Sequence, residues 1–162
     1  MSVVDFYLRI DGIEGESADA KHKGSIELDS WGWGEQQPSS PRSSSGAGAG
    51  KVSMQDFRFV AKASKASPKL ALVCASGEHL KKAVLTCRKA GKGQQEYITW
   101  TFHDCLVTSY STGGPNGGNI LPCDQVSVNY ARVEYQYKAQ NADGSMGGPI
   151  KFGWDLQANK AM

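Results

Sequence analysis

Apolar and polar residues alternate with a period of two along most of this chain. Val4, Phe6, Leu8 and Ile10 alternate with Asp5, Tyr7 and Arg9, the pattern of a strand with one face on a core. Near the other end, Ile150, Phe152, Trp154 and Leu156 alternate with Lys151, Gly153 and Asp155. Between them, "LKKAVLTCRKAG", "EYITWTFHDCLVTSY" and "QVSVNYARVEYQY" are rich in β-branched and aromatic residues, which favour a pleated, half-buried surface. "AGKG", "GGPNGGN" and "NADGSMGG" supply turns between them.

One stretch has the helical period instead. Ser67 is placed to cap it, and Pro68 suits a first helical position because its missing N–H costs nothing there. "KLALVCAS" propagates the helix and Gly77 can close it in the left-handed conformation. A helix over about residues 67–76 is too short to be stable alone, so Leu70 and Val73 must dock on a sheet. One short helix among about seven strands predicts a mainly β fold: a compact β-barrel of two sheets with a flanking helix.

Several strands change phase partway. Ile26 and Leu28 share one face, but Trp31 and Trp33 share the other. The same shift separates Val52 and Met54 from Phe57 and Phe59, and Val126, Val128 and Tyr130 from Val133, Tyr135 and Tyr137. Such a shift implies a bulge, or burial of both faces in different parts of a strand. Trp31, Trp33 and Met54 fall near one end of a hairpin, where they pack in the core or form a subunit interface, a setting in which Trp is enriched.

Composition narrows the possibilities. A chain of 162 residues is expected to form a single domain and to bury roughly 68–70% of its unfolded surface. Its net charge of +2 is spread along the sequence, so nothing points to nucleic acid or to an anionic membrane. The start, "MSVVDFYLRIDG", lacks the features of a cleaved secretory signal, and no apolar run reaches membrane-spanning length. The expected place of folding is the cytoplasm. Cys74, Cys87, Cys105 and Cys123 show no framework spacing and read as reduced thiols.

Three catalytic or ligand motifs fail on inspection. "SGAGAGKVS" lacks the first Gly and the final Ser or Thr of a phosphate-binding loop, and a strand follows it rather than a helix. "HDC" puts His103 and Cys105 at i and i+2, on one strand face, but no further ligands stand at metal spacing. No GxSxG elbow is present. Neither an enzyme nor a metal or cofactor is expected. "GESADAKHKGSIELDSWGWG" alternates acids and bases and reads as a solvated connection into a strand.

That leaves a long polar insertion, "EQQPSSPRSSSGAGAG", at residues 35–50 between two patterned strands. Loops of this length are uncommon without a function. Together with it, "SWGWG", "VSMQDF", "KASPKL", the turn "ADGSMGG" and the terminal "GWDL" occur in order. In that combination the chain resembles the haemolysin-coregulated protein family, the tube subunits of bacterial type VI secretion, nearly end to end.

The resemblance implies a two-sheet β-barrel that assembles as a homohexameric ring. Rings stack into a hollow tube inside a contractile sheath, above a baseplate and with a spike protein at the tip. The lumen holds small effector proteins. The subunit is cytoplasmic when assembled, and is then secreted outside or into target cells without a cleaved signal. The long loop is implied to reach the neighbouring ring, which assigns Gln36, Gln37, Ser39, Arg42, Ser44 and Lys51 to ring stacking, with residues 35–50 ordering on contact. Trp31, Trp33 and Met54 stand as candidates for the subunit interface on their phase change and aromatic character, not on the resemblance. Two readings stay open beside this one: a secreted monomeric β-module that binds carbohydrate or protein, and a small enzyme on a barrel for which no residue set can be named.

Overall fold

The computed structural model describes residues 4–38, 51–90, 93–118 and 120–162. In chain order the elements are β1 (Val4–Ile10), β2 (Ile26–Glu27), β3 (Ser30–Gly32), β4 (Glu35–Gln36), β5 (Ser53–Met54), β6 (Phe57–Lys62), α1 (Ala66–Ser76), β7 (His79–Lys89), β8 (Glu96–Gly113), β9 (Cys123–Asn129), β10 (Arg132–Gln140), β11 (Met146–Asp155) and β12 (Lys160–Ala161). Seven of these strands have six or more residues, in line with the number the alternation predicts.

All the pairings are antiparallel. One path runs β12–β11–β10–β8–β7–β1–β2, and from β8 a second runs through β9 and β6 to β3. The hinge is β8, with 18 residues. Its first part pairs with β7 and β10, and its last part, from Leu106 on, pairs with β9 across a register shift between Val107 and Ser109. A bulge of this kind bends a strand, and here it folds the sheet around its core. The strands make a barrel-like wall, with one correction: hydrogen bonds do not close it. The paths end at β2 and β3, which are consecutive stretches of one chain rather than paired strands.

The phase changes have a simpler origin than the expected bulges. Each falls where one strand ends and the next begins, at β2/β3, β5/β6 and β9/β10. At β2/β3 and β9/β10 the chain also exchanges ladder partners. Ile26–Glu27 pairs with β1, whereas Ser30–Gly32 pairs with β6. Side chains keep facing one core while the backbone changes neighbours.

A true phase shift occurs where the sequence shows none. Asp104 has φ +54°, a left-handed conformation that Asp tolerates better than most residues. Trp100 and Phe102 face the core before it, and Cys105 and Val107 face the core after it. His103 and Cys105 are therefore not on one face: His103 reaches Glu134, and Cys105 is buried.

The core is aromatic and β-branched. Phe57, Phe59, Phe102, Leu85, Val126, Val128 and Val133 are fully buried. Phe102 stacks on Phe57 at 4.7 Å and lies 4.9 Å from Tyr130 between ring centroids. The helix buries Leu70 and Val73 as expected and contacts β8. Gly77 closes it at φ +71°, with its N–H on the Val73 carbonyl. Its start differs from the expectation. The helix begins at Ala66 with Lys65 at the cap position and no side-chain cap there; one residue earlier, the Ser64 Oγ accepts the Ala66 N–H at 3.2 Å. Ser67 sits inside the first turn, accepts the Ser64 N–H at 2.9 Å and donates to the buried Asp124 on β9. The tie to Asp124 holds Ser67 inside the first turn rather than at the cap.

Candidate assembly surfaces

The polar insertion leaves the body of the protein on a two-stranded ribbon. Glu35 pairs with Met54 and Gln36 with Ser53, so the ribbon takes in two residues expected as loop. Gln36, Gln37 and Lys51 are exposed at its outer end. Ser39, Arg42 and Ser44 lie outside the described residues.

The ribbon has a fixed root. The Gln55 N–H donates to the Gly34 carbonyl at 2.9 Å. The Trp33 indole N–H donates to the Tyr130 hydroxyl, which donates in turn to the Gln55 carbonyl at 2.7 Å. Burial, opposed by the Trp33 hydrogen bond, pushes the Tyr130 phenol up to about 12, so its donor proton stays in place throughout the working range.

Trp31, Trp33 and Met54 are half-buried and pack on the chain's own core. The two Trp residues belong to an aromatic row. Trp31 meets Phe6 on β1 and Trp100 on β8, each at 6.2 Å, and Trp33 meets Trp100 at 4.9 Å and Phe152 on β11 at 6.4 Å. The row crosses the barrel from one outer strand to the other.

A second feature escapes sequence reading. Arg88 on β7 is only 3% exposed. It donates to both oxygens of Asp19 at 2.9 and 3.0 Å and to the Tyr7 hydroxyl at 2.8 Å. Tyr7 stacks on His22 at 4.5 Å, and His22 reaches Glu96 at 2.7 Å. Asp19 also accepts the N–H groups of Lys21 and His22. The stretch read as a solvated connection is therefore clamped to β1 and β7 by a buried bidentate pair.

Other polar and sulfur groups play structural parts. His103 and Glu134 are 2.9 Å apart on neighbouring strands. Burial pushes the thiols of Cys87 and Cys105 up to about 12, and all four cysteines are free. Among the described residues, no three His, Cys, Asp or Glu side chains converge as a metal site. Among the same residues, no helix is long and apolar enough to cross a membrane.

Comparison with known proteins places this architecture. The family described as "Type VI secretion system effector, Hcp" matches residues 7–137. This chain belongs to the Hcp family. It is 42% identical over 158 residues to Protein hcp1 of Pseudomonas aeruginosa, covering 96% of this chain and 97% of that one. The crystal structure of Hcp1 from Salmonella typhimurium superposes with a TM-score of 0.84 at 38% identity, covering 99% of this chain and all of that one. A structure called a type six secretion system protein reaches a TM-score of 0.91 at 29% identity, covering 98% of this chain and 99% of that one.

The clamp gives this Hcp chain a defined acid response. The hydrogen bonds from Arg88 hold the Asp19 carboxyl down at about 2. A carboxylate whose pKa falls on folding adds stability above its unfolded value and loses it as pH falls through the folded one. The stability gap between the wild type and Asp19→Asn is therefore expected to stay constant from neutral pH down to about 5, then to shrink between about 4 and about 2. Urea midpoints of both proteins across that range check it. A gap that widens on acidification would show the sign to be wrong.

Proposed function

We propose that this chain is the structural subunit of a type VI secretion inner tube. Six copies close into a ring, and rings stack into a hollow tube inside the sheath, with the spike protein at its tip and the baseplate beneath. The lumen carries small effectors, and the subunit itself leaves the cell. Its work is assembly rather than catalysis. The observation that carries this reading is the end-to-end likeness to an Hcp protein, covering 96% of this chain and 97% of the relative.

The ribbon supports a role in stacking. Its root is held by Trp33, Tyr130 and Gln55, and Gln36, Gln37 and Lys51 are exposed at its outer end; Ser39, Arg42 and Ser44 belong to the sequence between them. A Gly- and Ser-rich segment loses much conformational entropy on docking, so one contact is weak. Six loops acting together make stacking strong without any single strong contact. The part-exposed sides of Trp31, Trp33 and Met54, beside the ribbon root, belong to the subunit interface in the same reading.

A hairpin variant separates stacking from ring formation. Replacing residues 38–51 by Asn-Gly closes the ribbon with a two-residue turn in its own register. The expected result is rings of unchanged mass that no longer form tubes at high concentration in negative-stain images. Tubes as long as those of the wild type would remove the loop from stacking.

A further inference from the structure

Resting on the ring reading, the two ends of the long sheet path show which faces meet. The paired strands run from β12 and β11 at one end to β1 and β2 at the other. Both ends are incompletely paired. β12 covers β11 only at Trp154 and Asp155, and Met162 donates to the Gly153 carbonyl. From Met146 to Phe152 the outer side of β11 has no strand partner among the described residues. β1 is paired on its outer side at Tyr7 and Leu8, and its Phe6 carbonyl takes the Leu28 N–H. Val4 and Asp5 have no outer strand partner among the described residues.

The side chains at these two ends are complementary on both faces. On the core-facing side of the β11 end, Ile150 is 69% exposed and Tyr137, opposite it in register, is 37% exposed. At the β1 end, Val4 and Phe6 remain half-buried, and Leu121, which lines the same cleft, is 56% exposed. On the outward side, Lys151 and Lys138 project from β11 and β10, and neither has a carboxylate partner among the described residues. The cleft at the β1 end is lined by Asp5, Glu16, Glu27 and Asp29; Lys62 holds Asp29 at 2.8 Å and the buried Arg88 reaches Asp5 at 3.4 Å, whereas Glu27 has no cation partner among the described residues.

A ring needs a head-to-tail contact between two different, matching surfaces. We propose that the ring closes by the β11 end of one copy meeting the β1–β2 end of the next. Ile150 and Tyr137 cover Val4, Phe6 and Leu121, and Lys138 and Lys151 face Glu27. Exposed sheet edges invite this kind of covering, and opposite charges on the two sides fix the order in which copies meet.

Charge reversal tests the assignment, because Lys151 and Glu27 are both exposed and their substitution leaves the fold intact. Lys151→Glu and Glu27→Lys are each expected to raise the concentration for half-assembly about tenfold or more, with unchanged circular dichroism and a smaller effect at high salt. The double variant K151E/E27K restores assembly. An equimolar mixture of the two single variants also restores it, since alternating copies place unlike charges at every contact. Single reversals without effect, or a double variant no better than either, would overturn this assignment while wild-type rings stand. A wild-type chain that stays monomeric would end the ring reading itself, and this proposal with it.

Discussion

Phe102→Ala is expected to lose about 3–5 kcal/mol of folding stability and to lose ring assembly with it. Phe102 is fully buried and touches three aromatic neighbours: Phe57 at 4.7 Å, Tyr130 at 4.9 Å and Trp100 at 6.0 Å. Truncation removes the ring's own burial and leaves a cavity between two sheet segments that close packing prevents from collapsing. Tyr130 is the hub that holds the ribbon root to Trp33 and Gln55, so the damage reaches the ribbon proposed to stack. Phe102→Leu retains most of the volume and is expected to lose about half as much. Urea unfolding followed by Trp fluorescence measures both. A Phe102→Ala loss below about 1 kcal/mol would mean that the core does not rest on this ring.

The second large effect is expected at Arg88. Arg88→Met keeps the volume and removes the charge, leaving Asp19 without its partner, and breaking such a pair from one side is destabilising. Asp19 retains some access to water, with 18% of its side chain exposed, which moderates the loss; a clearly lowered urea midpoint is the expected result. The double variant R88M/D19N is expected to lose clearly less than the sum of the single losses, because the two side chains act as a unit. Released from the clamp, residues 19–23 become open to trypsin at Lys21 and Lys23. A double variant showing simple additivity, with cleavage unchanged, would contradict the clamp.

The fold was largely legible where a local rule has one physical cause. The alternation in β1 and in β11, the Leu70/Val73 face and the Gly77 closure all follow from side-chain period and backbone sterics. The phase changes were legible as positions but not as causes. A chain that changes ladder partners and a chain that bulges within one strand look alike in a list of apolar residues. Asp104 illustrates the opposite limit: its left-handed backbone leaves no mark on "FHDCLV", so simple alternation puts His103 and Cys105 on one face.

The site was less legible than the fold. Arg88 sits in "TCRKAG" like any edge cation, and its partner Asp19 lies 69 residues away in a stretch that reads as solvated. Charge patterning carries no information about which acid folds over which base. The ribbon root depends on Trp33 and Tyr130, 97 residues apart, and only the fold brings them together. Family resemblance supplied what periodicity could not, namely the Hcp architecture itself.

The measurement that bears most directly on the tube reading is the native mass of the purified wild-type chain, with negative-stain images of the same fraction. A mass near six subunits, with ring-shaped particles enclosing a central hole, is the expected result. A monomer that persists as concentration rises would contradict it.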